Sequence, residues 1–378
     1  METNRFETFM DAIIAIIITV LVLKLSQPSD ASLGAILSLN RSYITYAICF
    51  LIIYATWYND HNLFQMVDKI DNKVVVVYGV LLFIISIIPY FASWVSINPQ
   101  SVPAQTMFGV LFLAINILYA LSTYLIIHAN PYNVKLKKIN LKDFRRYVPI
   151  LIILIGFAFT YTIYPQGIFI SCIFATVYWV CLSVFTKSEI ESSERFEALF
   201  DAIVAIVLTV IVLEIAMAAN GSWQALGEVK LEFFAYAVSF IVCFNFWNYN
   251  NNLFNIVNKI DGKVIWSIGG AMFFLSLIPY LSLFVSQNFY SFVAQACYGL
   301  DFIVVALLSI VTSNALKKVD PGNIALLLAL KDNTSFLSTI IVVGFGIIIG
   351  YFFYPPVILI SCLLSIIVVW LIHMIHKY

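Results

Sequence analysis

Two polar strings interrupt an otherwise apolar chain and hold the residue types able to do chemistry. R-F-E-T-F-M-D runs from Arg5 to Asp11, and W-Y-N-D-H-N-L-F runs from Trp57 to Phe64. Arg5 and Asp11 stand six residues apart, about 600° around a helix, so they share no face and cannot pair along it. Their partners must come from another element. Both strings recur, as R-F-E-A-L-F-D from Arg195 to Asp201 and as W-N-Y-N-N-N-L-F from Trp247 to Phe254. Arg5, Asp11, Trp57, His61 and Asn62 therefore form a candidate polar cluster, echoed by Arg195, Asp201, Trp247, Asn251 and Asn252. Such groups are costly in apolar surroundings unless partnered, so the cluster reads either as a static interhelical clamp or as part of a gate.

Other chemistry-bearing residues are scattered. Asp301 stands alone in an apolar run, where its repeat counterpart is Leu111. It is either a proton-handling carboxylate or a protonated one bonded to Tyr298 or a serine. His373 and His376 lack a third ligand, so no metal site is expected. The six cysteines contain no C-x-x-C pair and read as small packing residues. No nucleophile–base set or phosphate loop appears, so neither an enzyme nor a cofactor is expected. The formal net charge is zero, so no partner follows from it, and no nucleic acid is expected.

The elements that position these residues follow from composition. Hydrophobic residues make up 62% of the 378, charged residues 11%, and mean hydropathy is +0.98. A soluble domain carries about 25% charge, so this chain cannot cover itself with polar surface in water. A bilayer asks for about 20 apolar residues per helix, which leaves room for about a dozen spans. The fold class expected is all-α, a polytopic membrane protein of two tandem, parallel six-helix repeats, residues 1–190 and 191–378. One offset of 190 residues carries Arg5 onto Arg195, Trp57 onto Trp247, Pro89-Tyr90 onto Pro279-Tyr280, Ala104-Gln105 onto Ala294-Gln295, and Ser171-Cys172 onto Ser361-Cys362. In the first repeat the spans lie near Phe9–Leu25, Tyr43–Met66, Val74–Val95, Ala104–Ile127, Tyr147–Ile163 and Gly167–Phe185. In the second they lie near Leu199–Ile215, Leu231–Ile256, Val264–Val285, Ala294–Ser313, Phe336–Phe353 and Val357–His373. Met1–Glu7 runs into the first span with no small-residue cleavage site, so that span is expected to stay in the membrane. With the N-terminus inside, only Lys24, Arg41 and Lys230 of the 20 Lys and Arg fall outside, which puts both termini in the cytosol. The basic run Lys135–Arg146 reads as a cytosolic face against anionic headgroups.

R-x-x-x-F-M-D, followed by A-I-I-A-I-I-I-T-V-L-V-L, resembles the signature R-x-x-x-F-S-D of the transmembrane protein 175 family of potassium channels. The W-x-x-x-H-x-L-F and I-P-Y segments resemble that family too. The resemblance implies a passive potassium channel, with protons as a second permeant ion. It also implies a homodimer in which the first helix of each repeat lines the pore. The family's narrowest point, an isoleucine five residues after the signature Asp, falls on Ile16 and Ile206. Val20 and Leu23, with Val210 and Leu213, continue the stripe at helical spacing, and such an aliphatic ring can gate by dewetting. Thr19 and Thr209 add hydroxyls beside it that could touch a partly dehydrated cation. The signature serine is replaced by Met10 and Phe200, and the phenylalanine by Leu199 in the second repeat. No T-V-G-Y-G string exists, which excludes a carbonyl-ring filter. Lys24 and Glu214 occupy equivalent positions at the outer mouth. There they act as a ring of nearly cancelling charge, or as snorkelling interfacial side chains. A secondary transporter and a non-conducting scaffold are the alternatives. Compact loops suit a bacterial cell membrane, with an endosomal or lysosomal membrane as the other setting implied by the resemblance.

Overall fold

A computed structural model describes residues 3–137, 139, 143–185, 193–330 and 333–376. The side chains of His373 and His376, part of the Lys135–Arg146 run and the 190/191 boundary lie outside the described residues. Chain contacts define two compact units, Met1–Leu25 with Asn40–Ser188, and Ser26–Leu39 with Glu189–Tyr378. Ser26–Leu39 thus belongs to the first repeat by sequence but packs with the second unit.

The first repeat runs α1 (Thr3–Val22), α2 (Leu33–Ser38), α3 (Asn40–Phe64), α4 (Asn72–Ser86), α5 (Ile88–Ile97), α6 (Val102–Ala129), α7 (Val134–Lys137), α8 (Val148–Thr162) and α9 (Gly167–Phe185). The second runs α10 (Glu194–Leu213), α11 (Trp223–Glu228), α12 (Lys230–Phe254), α13 (Gly262–Leu275), α14 (Ile278–Gln287), α15 (Phe292–Val319), α16 (Ile324–Ala329), α17 (Thr334–Phe352) and α18 (Val357–His376). Among the described residues, eight helical stretches are long and apolar enough to cross a membrane, and Val148–Thr162 and Val357–Leu371 are shorter apolar helices. The described elements are helical, and the chain is a multi-pass membrane protein. Backbone groups in hydrocarbon must be satisfied within the segment, which is why the apolar stretches fold as helices.

The third span departs from the single helix expected over Val74–Val95. It breaks into α4 and α5 at Ile87, and its counterpart breaks into α13 and α14 at Ser276–Leu277. Pro89 and Pro279 cause this. Proline has no N–H to donate, and its ring crowds the carbonyl four residues back, so it starts a new helix and does not continue the old one.

Within each unit the spans are joined by buried polar clamps that recur at the repeat offset. Gln105 is fully buried; its Nε2 donates to the Pro99 carbonyl at 2.8 Å, and its Oε1 accepts from the Phe169 N–H at 3.1 Å. Gln295 does the same with Phe289 at 2.7 Å and Leu359 at 3.2 Å. One amide thus ties the turn before α6 to the first turn of α9, and its copy ties α15 to α18. At the opposite end Asn130 exchanges two 2.9 Å bonds with the Lys69 backbone, and Asn133 donates to the Met66 carbonyl at 2.7 Å. Asn323 donates likewise to Ile256 at 2.6 Å.

The last two spans of each unit pack through small residues. A Cβ on Gly156 would collide with the Ser171 side chain, and one on Gly346 with that of Ser361. Close backbone approach of this kind drives helix association where the hydrophobic effect between helices is absent. It explains why Ser171-Cys172 recurs as Ser361-Cys362.

Replacing Gln105 with Leu strands a buried carbonyl and a buried N–H, each costing about 1–3 kcal/mol. Differential scanning fluorimetry in detergent should show a clear loss of Tm for Gln105→Leu and a comparable one for Gln295→Leu. An unchanged Tm in either would show that the clamp is not structural.

Candidate functional site

The first helix of each unit is anchored by one bond. Trp57 Nε1 on α3 donates to Asp11 Oδ1 on α1 at 2.8 Å, and both residues are buried. Trp247 Nε1 on α12 donates to Asp201 Oδ1 on α10 at 2.7 Å, with Asp201 exposed. The two pairs have the same sequence separation of 46 residues. An indole N–H to a carboxylate is charge-assisted and directional, so it fixes both the depth and the rotation of the helix that carries the carboxylate.

Around this bond the first unit assembles much of the expected cluster. The His61 ring stacks on Trp57 at 5.1 Å, and the Gln65 amide donates to His61 Nε2 at 2.9 Å. Phe6 packs edge-on against Phe64 and Tyr78, holding the start of α1 against α3 and α4. Arg5 is exposed at the head of α1 and Arg195 part-buried at the head of α10. Asn62 is part-buried, and its Oδ1 has no hydrogen-bond partner among the described residues. Asn251 is part-buried and Asn252 exposed.

Asp60 is a member that sequence reading missed. It is buried and accepts a 2.7 Å bond from the Tyr78 hydroxyl. Its repeat counterparts are Asn250 and Ile268, and the Asn250 amide turns back to the Phe246 carbonyl at 2.9 Å. The signal was present as the acid inside W-Y-N-D-H-N; the partner on α4 needed the fold. Arg41, donating to Gln166 at 2.9 Å and lying over the Phe169 ring, is a second member of this kind, at the other end of α3.

The opposite face of α1 is open. Met10, Ile14, Ile17, Ile18 and Leu21 are buried, whereas Phe9, Ala12, Ile16 and Leu23 are exposed and Val20 is part-buried. Thr19 does not join that stripe. It is buried, and its hydroxyl donates to the Ala15 and Ile16 carbonyls at 2.9 Å. Local back-bonding of this kind is how a threonine inside an apolar helix satisfies itself.

On α10 the exposures differ. Leu199 and Val210 are buried, Ile206 is part-buried, and Leu213 is exposed. Thr209 is exposed and donates to the Ile206 carbonyl at 2.8 Å. The open face runs through Ala198, Asp201, Ala205, Thr209 and Val212, one residue or about 100° from its counterpart on α1. The Trp–Asp bond is common to both units, so the difference in exposed residues arises beside the same anchor.

Lys24 is exposed just past the end of α1. Glu214 caps the end of α10, half-buried, and that burial raises its carboxyl above the ordinary glutamate range. Asp301 is buried on α15, and its Oδ2 has no hydrogen-bond partner among the described residues. The Tyr298 hydroxyl pairs with Ser239 at 2.9 Å. Among the described residues no group of three His, Cys, Asp or Glu could hold a metal ion.

Two substitutions test the site. Trp57→Phe keeps the ring but removes the donor to a buried carboxylate, with an expected cost of about 1.5–3 kcal/mol. Trp247→Phe, facing the exposed Asp201, should cost less. Equal Tm losses in scanning fluorimetry would contradict this ranking. Asp301→Leu, the residue of the first repeat, should raise Tm by relieving an unpaired buried oxygen worth about 1–3 kcal/mol. A fall in Tm would show that the carboxylate is bonded in the protein.

Comparison with known proteins agrees with this repeat geometry. The profile of the family described as endosomal/lysosomal potassium channel TMEM175 matches residues 5–89 and 195–279, from the first span of each half into the third. A protein of Chryseobacterium sp. (strain P1-3) named as a potassium channel is 29% identical over 178 residues, 47% of this chain and 92% of that protein. A Chamaesiphon minutus protein, also named as a potassium channel, is 32% identical over 127 residues, 31% of this chain and 63% of that protein. The zebrafish protein named endosomal/lysosomal proton channel TMEM175 is 24% identical over 308 residues, 68% of this chain and 59% of that protein. Each half of this chain thus carries one segment that matches the TMEM175 family profile.

Proposed function

We propose that the chain is a cation channel that conducts potassium passively, with protons as a second permeant ion. Its pore would be lined by α1 and α10 from each of two copies in a lipid bilayer. The observation that carries this reading is the face of α1: a helix anchored on one side by a buried carboxylate bond leaves Phe9, Ala12, Ile16 and Leu23 open on the other. An isolated lipid-facing helix would have no need of such an anchor, whereas a pore-lining helix must hold its rotation. The names of the relatives supply the ion class.

In this reading Ile16, with Ile206, forms the aliphatic neck, and Val20, Leu23 and Leu213 extend it outward, while Val210 is buried. A ring of isoleucines excludes water until it widens, so small tilts of α1 about its anchor would switch conduction. Thr209 would offer a hydroxyl near the neck. Thr19 would serve the helix backbone. Lys24 and Glu214 would set the charge of the outer mouth, and Arg5 and Arg195 would stand at the inner one.

Purified protein in a planar bilayer under a potassium gradient should give discrete unitary currents reversing near the potassium equilibrium potential. Saturable flux without unitary events would indicate a transporter, and no flux a scaffold. Ile16→Asn with Ile206→Asn should raise unitary conductance and weaken cation selectivity. Conductance and selectivity both unchanged would remove the neck from these residues.

A further inference from the structure

Ser26–Leu39, the outer connection of the first repeat, packs with the second unit. There it is seated on the proline-started half of the third span. The Gln27 amide donates to the Tyr280 carbonyl at 3.1 Å, the Tyr280 hydroxyl donates to the Ser26 carbonyl at 3.2 Å, and Ser291 reaches the Ala31 carbonyl at 3.5 Å. Tyr280 is 6% exposed as a result.

The repeat supplies a second linker and a second seat. Gln27 is part-buried, whereas its counterpart Met217 is 93% exposed. The counterpart of Tyr280 is Tyr90 on α5, 66% exposed. The whole third span repeats the contrast: its apolar window is 72% buried in the second half and 39% in the first. The two linkers are built alike. Ser32 accepts from the Ala35 N–H at 3.1 Å to start α2, and Ser222 accepts from the Ala225 N–H at 3.1 Å to start α11. Each chain therefore shows one linker seated on its site, and carries a second linker and a second site that are both open.

We propose that the linker Ala216–Val229 of one copy seats on α5 of a second copy, around Tyr90. The second copy's linker returns the contact, so that two chains close on each other. The occupant is argued from the chain itself: the seated pair already shows that this linker fits this surface. A head-to-tail contact of this kind ends open groups only when it closes in a ring. In the exchanged contact the Tyr90 hydroxyl donates to the Ala216 carbonyl, and the Met217 thioether packs where Gln27 has its amide. The seat is therefore less polar than its template. Met217, a large apolar side chain left open on a short polar-capped connection, becomes a contact residue. The proposal rests on the two-copy pore reading but not on conduction.

Disulfide trapping in the full chain tests it. With Cys181 and Cys297 replaced by serine, Tyr90→Cys with Met217→Cys, oxidised in membranes, should convert most of the protein to a covalent dimer on a non-reducing gel, with either single variant staying monomeric. Gln27→Cys with Tyr280→Cys should instead close within one chain, seen as lost maleimide labelling with no dimer band. Native mass in nanodiscs separates the failures. A dimeric mass with no Tyr90–Met217 cross-link, or a cross-link formed within one chain, overturns the linker exchange and leaves the pore reading standing. A monomeric mass overturns both. Failure of the Gln27–Tyr280 pair to close removes the template and overturns the exchange.

Discussion

A carboxylate in an apolar surrounding must be held by a donor or give up its charge, and this protein uses that constraint to set a helix. Asp11 and Asp201 each take the indole N–H of a tryptophan 46 residues on, at 2.8 and 2.7 Å. Nonspecific packing of aliphatic side chains would let α1 slide or turn on its neighbours at little cost. One directional bond removes that freedom. The rest of the helix takes its setting from that bond: which residues meet α3 and α4, which stay open, and at what depth Ile16 stands. The aromatic stack of Trp57 on His61 and the Phe6–Phe64–Tyr78 contacts then fix the donor in its turn.

The remaining spans hold together by two devices that suit a solvent as apolar as the side chains themselves. Buried amides such as Gln105 and Gln295 satisfy backbone groups at chain breaks, where the helix cannot. Glycine against serine brings α8 to α9 and α17 to α18 at backbone distance. Both devices recur at the repeat offset, so each unit carries its own complete set of fastenings. That self-sufficiency lets the halves diverge elsewhere. Asp60 with Tyr78, and Arg41 with Gln166, exist only in the first repeat, and Asp301 only in the second.

Divergence is sharpest at the surface. The same anchor leaves Ile16 exposed on α1 and Ile206 part-buried on α10, and the same type of linker is seated in one half and open in the other. Equivalent sequence with unequal burial marks surface whose cover lies outside the contacts that the repeat encodes.

The sequence by itself determined the duplication, the helical membrane class and the identity of the anchoring residues. Each depends on local composition or on strings that recur at one offset. Asp11 and Trp57 could be nominated because a polar residue in an apolar run must find a partner, and few candidates lie at the same depth. The break in the third span was not read from the sequence, although Pro89 and Pro279 are its cause. Only the tertiary structure decided which partners meet and which faces stay open. Thr19 looked available beside Ile16, but the fold turned it inward, where the nearest acceptors are its own helix carbonyls. Asp60 found Tyr78 across a loop, and Ser26–Leu39 left its own repeat for the other. These outcomes depend on distances between elements, and helical periodicity carries no information about the element on the other side.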